Sequence, residues 1–244
     1  MILVLSGEGP TDLGRCHHSS ELCQGDAFAF GPLGLIAEQW IAQHTGVSLR
    51  ASPELIHFVP KQQLGNKIRS LPLRLQPARS KKKAAETGYF FSNAMALGLF
   101  ALDLERQTGH RAVAILHRDC DSTHSAKTGM WEVKQKSMLD GFTYARFERG
   151  VPMLPKPTSE VWLLCAAKQQ PYQRCEQLED LPGNLASPHH PKYKLDEVFG
   201  QRQSAEQLCN WLDAHPFDSP RARAMPSYAA FHDRLLEAIR GVLH

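Results

Sequence analysis

The chain has 244 residues, a net charge of +3, and hydrophobic and charged fractions of 42% and 22%, the make-up of a soluble globular protein with one substantial core. No apolar run approaches the length of a membrane span. The opening run Met1-Ile2-Leu3-Val4-Leu5 is too short, and lacks the basic start, for a secretion signal, so a cytoplasmic protein is expected.

Residues 2–5 form a continuous apolar run, the pattern of a strand buried on both faces of a parallel sheet. Ser6-Gly7-Glu8-Gly9-Pro10-Thr11-Asp12 is turn chemistry and ends it. Cys16, His17, His18 and Cys23 lack the paired spacing of a zinc site. The six cysteines contain no CxxC pair and are scattered, which predicts reduced thiols rather than a disulfide framework. Residues 30–44 carry apolar side chains at helical spacing, and residues 55–59 (LIHFV) read as a second short strand. Between residues 61 and 83 stand eight basic residues and no acidic one: Lys61, Lys67, Arg69, Arg74, Arg79, Lys81, Lys82 and Lys83. Subtracting those eight from the net +3 leaves −5 on the rest of the chain. Such a block reads either as a phosphate-contacting track or as a solvated, mobile loop, with Pro72 and Pro77 breaking any helix there.

A long helix is expected over 83–108, followed by the clearest central strand at 112–116 (AVAIL). His117-Arg118-Asp119-Cys120-Asp121 follows directly, with Ser122 and Thr123 as caps for a helix running toward Leu139. Residues 142–147 (FTYARF) read as a further strand. Pro152, Pro155 and Pro157 mark a rigid loop, and Thr158 or Ser159 caps a helix over 160–168. Residues 169–200 read as irregular, with helices at 204–214 and 227–242. Strands alternating with helices give an α/β fold with a parallel, Rossmann-like sheet, a helical insertion and a helical C-terminal region. Residues 1–170 are expected to form the catalytic part, including the basic insertion near 60–85. Residues 171–244 would be an irregular segment and C-terminal helices packed on it.

Ligands of open parallel sheets bind beyond the carboxyl ends of the strands, and two strands here end in acid. Glu8 lies past the first, and Asp119 and Asp121 past the central one. Residues two apart on extended backbone point the same way, so both aspartates could face one ion. Hard divalent cations take such oxygens, and Mg²⁺ needs only one or two carboxylates with waters and phosphates.

The strand leading into Glu8-Gly9-Pro10-Thr11-Asp12, with a later strand leading into Asp119-x-Asp121, resembles the TOPRIM domain of topoisomerases, bacterial primases and OLD-type nucleases. The proline loop before Glu160-Val161-Trp162-Leu163-Leu164, and Pro226-Ser227-Tyr228 with Phe231, are similar to segments of stand-alone OLD-nuclease and RloB-type proteins of bacterial defence islands. The resemblance implies Mg²⁺ or Mn²⁺ held by Glu8, Asp119 and Asp121, with Glu8 as a ligand or general acid/base. Glu160 would be an accessory carboxylate; the helix dipole alone also suffices to place a Glu there. Trp162, Leu163 and Leu164 read as core. More chain separates Glu8 from the aspartates than in a minimal TOPRIM domain, so an insertion must lie between them.

The function so implied is metal-dependent cleavage of nucleic-acid phosphodiesters in anti-phage defence. Lys61, Lys67, Arg69, Arg74, Arg79, Lys81, Lys82 and Lys83 would track the backbone, and any ATPase partner must be a separate protein because the chain has no P-loop motif. Arg118, Lys127, Lys134, Lys136, Lys192 and Lys194 could hold phosphate or simply solvate a surface. A non-catalytic sensor or binding subunit on the same fold is the first alternative, and a phosphotransfer enzyme using Asp119 the second.

Overall fold

The computed structural model describes residues 1–9, 11–17, 21–72, 85–120 and 130–243. Its first strand, β1 (Ile2–Ser6), is wholly buried. A short antiparallel pair, β2 (Gly14–Cys16) and β4 (Phe28–Phe30), follows it, with the two-residue β3 (Cys23–Gln24) between them in sequence. Helix α1 (Pro32–Thr45) starts at a proline, whose missing N–H suits that position, and stops at Gly46 in the left-handed region. Strand β5 (Ile56–Phe58), α2 (Lys61–Ser70), α3 (Ala85–Thr108), β6 (Ala112–His117), α4 (Met130–Tyr144) and β7 (Gly150–Met153) complete the alternating half. The rest is helical: α5 (Glu160–Ala167), α6 (Pro191–Phe199), α7 (Ala205–Ala214), the single turn α8 (Ser219–Ala222) and α9 (Pro226–Leu243).

The sheet order is β3-β5-β1-β6-β7, parallel except for β3. An α/β protein with a mostly parallel sheet is therefore what these residues build. Alternation along the strands divides two cores. Leu3, Leu5, Val113 and Ile115 face the layer containing α1, α5 and α9, while Ile2, Val4, Ala112, Ala114 and Leu116 face α2, α3 and α4. No described helix is long and apolar enough to cross a membrane.

Four expectations need correction. Residues 142–147 are not a strand: α4 runs to Tyr144, and Arg146 turns the chain at φ 58°. Gly98 and Gly141 let α3 and α4 approach closely, so Phe142 and Phe147 enter the core from a helix end and the turn after it. The true strand is β7, whose Pro152 lacks an amide donor and is tolerated because β7 is an edge. Residues 169–200 are not wholly irregular, for they hold a 3-10 turn at Cys175–Asp180 and helix α6. The start of the basic block is helical, in α2, up to the residues preceding Pro72. Finally, Cys16 pairs with Cys23 and Cys165 with Cys175 in disulfides, and Cys120 and Cys209 belong to neither bridge. Chain folding, not sequence spacing, brings these pairs together, and Cys16 and Cys23 thereby have no thiolates to offer zinc.

Two buried arrangements anchor what surrounds the sheet. Helix α5 has apolar residues all round and is buried, as expected for Trp162, Leu163 and Leu164. Trp162 Nε1 donates to Ser227 Oγ at 2.9 Å, and Ser227 N donates to Glu179 Oε1 at 2.8 Å. Burial pushes the Glu179 carboxyl above the usual range, against the hydrogen bonds from Ser227. The second anchor is the start of α1. Leu33 N donates to Asp12 O and Gly31 N to Leu13 O, and a Cβ on Gly34 would come within 2.1 Å of Leu13 O.

Because that obstacle is backbone, Gly34→Ala should lower the unfolding free energy by roughly 1–3 kcal/mol in a denaturant titration. Glu179 gives a pH test. Its folded pKa is raised, so its contribution to stability is fullest below the unfolded value and declines as pH rises through the folded one. Glu179→Gln, which keeps an acceptor oxygen, should therefore gain stability relative to wild type as pH rises from about 4 to 7. A pH-independent difference would contradict this.

Candidate functional site

Strands β1 and β6 pair in parallel from Ile2↔Ala112 to Ser6↔Leu116, so both leave the sheet at the same edge. Glu8 and Asp119 consequently meet: the Asp119 backbone N–H donates to Glu8 Oε2 at 3.4 Å. Both carboxylates are partly exposed, at 26% and 29% of their side-chain surface. Asp121, and with it the Asp-x-Asp pair as a pair, lies outside the described residues.

Glu8 and Asp119 have different neighbours. Lys61 Nζ, from the first turn of α2, stands 3.5 Å from Glu8 Oε1 and 5.3 Å from the centre of the Tyr89 ring. Asp119 Oδ1 accepts from the Ser159 backbone N–H at 3.0 Å, and Ser159 Oγ donates to Asp12 Oδ1 at 2.9 Å. Of the two expected caps, Thr158 or Ser159, Ser159 stands at the N-cap of α5 but makes no side-chain cap bond, and its hydroxyl holds Asp12 instead. His117 Nε2 lies 3.6 Å from Asp119 Oδ1, within ion-pair range but without a hydrogen bond. Burial disfavours its imidazolium, yet Asp119 and Asp12 outweigh burial and hold its pKa above the ordinary histidine value.

Arg118 is fully buried. Its Nη1 donates to His117 O at 2.6 Å, and its guanidinium lies 5.5 Å from the centre of the Tyr89 ring, while among the described residues Nε and Nη2 have no hydrogen-bond partner. Burial pulls its pKa down, against the field of Tyr89 and Glu8, but a guanidinium remains charged at neutral pH. A buried charge with unmade hydrogen bonds costs stability, and such groups concentrate where a ligand supplies the missing partner.

The other expected residues are dispersed. Glu160 opens α5 and lines a cleft with Thr11 and Asp12. Lys67 is held by Asp103 at 2.5 Å, and Arg69 donates to Asn66 Oδ1 on the exposed side of α2. Arg74, Arg79, Lys81, Lys82, Lys83 and Lys127 lie outside the described residues. Lys134 is buried, donates to Cys120 O and lies over Phe90, so it is no solvating surface residue. Lys136 pairs with Asp140 on α4, Lys192 and Lys194 sit on α6, and Lys192 lines the same cleft as Glu160.

Asp12, His117 and Ser159 were missed as parts of the site. The available signal was position, since each lies within a few residues of a strand end or the proline loop.

Carboxylate oxygens such as those of Glu8 and Asp119 are the kind of donor that Mg²⁺ and Mn²⁺ take. Among the described residues, no three His, Cys, Asp or Glu side chains form a ready metal-binding group. Comparison with known proteins finds no matching family model, no matching curated protein and no matching solved structure.

Arg118→Met, which removes the uncompensated charge but keeps most of the volume, should leave unfolding free energy unchanged or raise it by about 1 kcal/mol. A loss of several kcal/mol in thermal or chemical unfolding would show that Arg118 is structural.

Proposed function

We propose that the joint carboxyl end of β1 and β6 is the site of a TOPRIM-like, metal-dependent phosphodiesterase acting on nucleic acid. The observation that carries this reading is the meeting of Glu8 with Asp119, two acids far apart in sequence, at the edge where parallel sheets bind their ligands. A divalent ion held by Glu8 and Asp119 would supply charge neutralisation at phosphate and a more acidic water.

The chain's own residues divide the remaining work. Ser159 N–H and His117 orient the Asp119 carboxylate. Lys61 Nζ, beside Glu8, would bind a non-bridging phosphate oxygen once released from its 3.5 Å ion pair. The free Nε and Nη2 of Arg118 would take a second oxygen in the forked geometry that guanidinium offers phosphate. Glu8 would accept the proton of the attacking water. A defence role, and a separate ATPase that switches the protein on, rest on the sequence resemblance.

A binding or sensor subunit without turnover is the competing reading. The Lys61–Glu8 ion pair favours it, because that contact engages the carboxylate the reaction needs.

Purified protein incubated with Mg²⁺ or Mn²⁺ and plasmid, linear DNA or tRNA should cut at least one of them. Glu8→Gln and Asp119→Ala should each lower that rate by about 100-fold or more while unfolding as wild type does. Equal products at equal rates from wild type and Asp119→Ala would refute hydrolysis at this site.

A further inference from the structure

Helix α1 runs back from the acidic edge. Leu33, in its first turn, bonds Asp12, and at a rise of about 1.5 Å per residue His44 stands about 16 Å further along. There His44, in the last turn of α1, meets His232 of α9, the ring centres 5.8 Å apart and the planes 77° to one another. Trp40 touches both, stacked on His44 at 3.8 Å and edge-on to His232 at 5.3 Å. His232 is buried and His44 half-buried, which leaves an ion a way in from solvent.

Both rings are held in one tautomer. His44 Nδ1 lies 2.9 Å from Trp40 O, and His232 Nδ1 lies 3.0 Å from Asp233 Oδ1. A carbonyl and a carboxylate only accept, so each Nδ1 carries the proton and each neutral ring keeps its lone pair at Nε2. Neither Nε2 makes a hydrogen bond among the described residues. Asp233 also takes Arg223 at 3.0 Å, which balances the one guanidinium paired beside the rings. Trp40 Nε1–H, fully buried, finds no acceptor among the described residues. His215 repeats half of the arrangement at the end of α7: its Nδ1 lies 3.0 Å from Trp211 O and its ring stacks on Trp211. Among the described residues no second imidazole adjoins it.

A neutral imidazole fixed from behind by an acceptor on one nitrogen is the usual form in which histidine holds a metal through the other. Spacing agrees with one shared ion. An ion about 2.0–2.1 Å from Nε2 sits roughly 3.2 Å from the ring centre, so two rings on one ion have centres about 5–6 Å apart. We propose that His44 and His232 bind one divalent ion of the zinc class through their Nε2 atoms and so clamp the end of α1 to α9. Two protein donors leave positions for water, and an ion-bound water is the kind of acceptor that Trp40 Nε1–H lacks. Imidazole suits Zn²⁺, whereas Mg²⁺ takes oxygen, so this site differs from the strand-end carboxylates in place and in chemistry. It does not depend on the phosphodiesterase reading.

The test uses the full chain without an affinity tag, stripped of metal, free of thiol reductant and kept in excess Mg²⁺ to occupy oxygen sites. Titration with ZnCl₂ in a calorimeter should show binding that also raises the thermal unfolding midpoint. His44→Gln and His232→Gln should each weaken that binding about tenfold or more and abolish the rise in midpoint, and Asp233→Asn should weaken it by about tenfold. His215→Gln and Glu8→Gln should bind Zn²⁺ as wild type does. Nitrogen-15 spectra of the wild-type histidine rings keep the test independent of how the variants fold: Zn²⁺ should shift Nε2 of His44 and His232 and leave their Nδ1 protonated. No Zn²⁺ binding by wild type, equal binding by both Gln variants, or ring shifts confined to other histidines would overturn the proposal. Zinc binding at this pair in a protein that cuts nothing would sink hydrolysis and leave the clamp standing.

Discussion

The parallel pairing of β1 with β6 is the constraint on which the rest of the molecule depends. Its register, from Ile2↔Ala112 to Ser6↔Leu116, makes both strands end at one level, and whatever follows each must share the same edge. Glu8 and Asp119 are more than a hundred residues apart, yet one backbone N–H of Asp119 reaches a carboxylate oxygen of Glu8. The interior of the pair is held by hydrophobic burial on both faces, so register cannot slip without turning Leu3, Leu5, Val113 and Ile115 into the other core. Geometry at the acidic edge is therefore inherited from packing in the sheet.

Around that edge the fold spends stability on polar groups. His117 and Arg118 are fully buried, and both leave ring or guanidinium nitrogens without hydrogen bonds. Since residues 117 and 118 continue the strand direction, they diverge: His117 goes to the side of Asp119 and Asp12, and Arg118 to the side of Tyr89 and Glu8. The Asp119 backbone stands between two differently charged surroundings. On one side Ser159 links Asp119 to Asp12 and so to the cleft, and on the other Lys61 covers Glu8. Buried polar groups left incomplete inside an otherwise closely packed sheet are where ligand chemistry is expected, which is why the functional reading is anchored here.

Reading the sequence succeeded where one local rule governed. The apolar runs 2–5 and 112–116 made β1 and β6 legible, because a strand covered on both faces needs no partner to declare itself. Helix α1 was legible from apolar spacing, and α7 and α9 were placed to within a few residues; in the structure Ser204 caps α7 with Gln207 in a reciprocal pair of hydrogen bonds. Where two rules compete, the reading failed. FTYARF alternates like a strand, but Gly141 allows α4 to press on α3, and the gain from burying Phe142 within a helix outweighs strand propensity. The strands β2 to β4, of two or three residues and without an apolar run, carry too little pattern to be read, and disulfide partners separated by 7 and 10 residues have no sequence signature at all.

By itself, then, the sequence determined the α/β class, the two acid-tipped central strands and the buried character of the helix after the proline loop. Each follows from hydrophobic period and turn chemistry, which act over a few residues. Only the tertiary structure decided that the Ser159 hydroxyl would bind Asp12 rather than its own helix and its N–H Asp119, that Lys61 would face Glu8, that Arg118 would be buried, and that Arg15, Lys192 and Arg202 would line one cleft with Asp12, Glu160, Asp196 and Glu206. Those outcomes depend on which strand edges adjoin and how closely helices approach, and no local period encodes a distance between segments far apart in the chain.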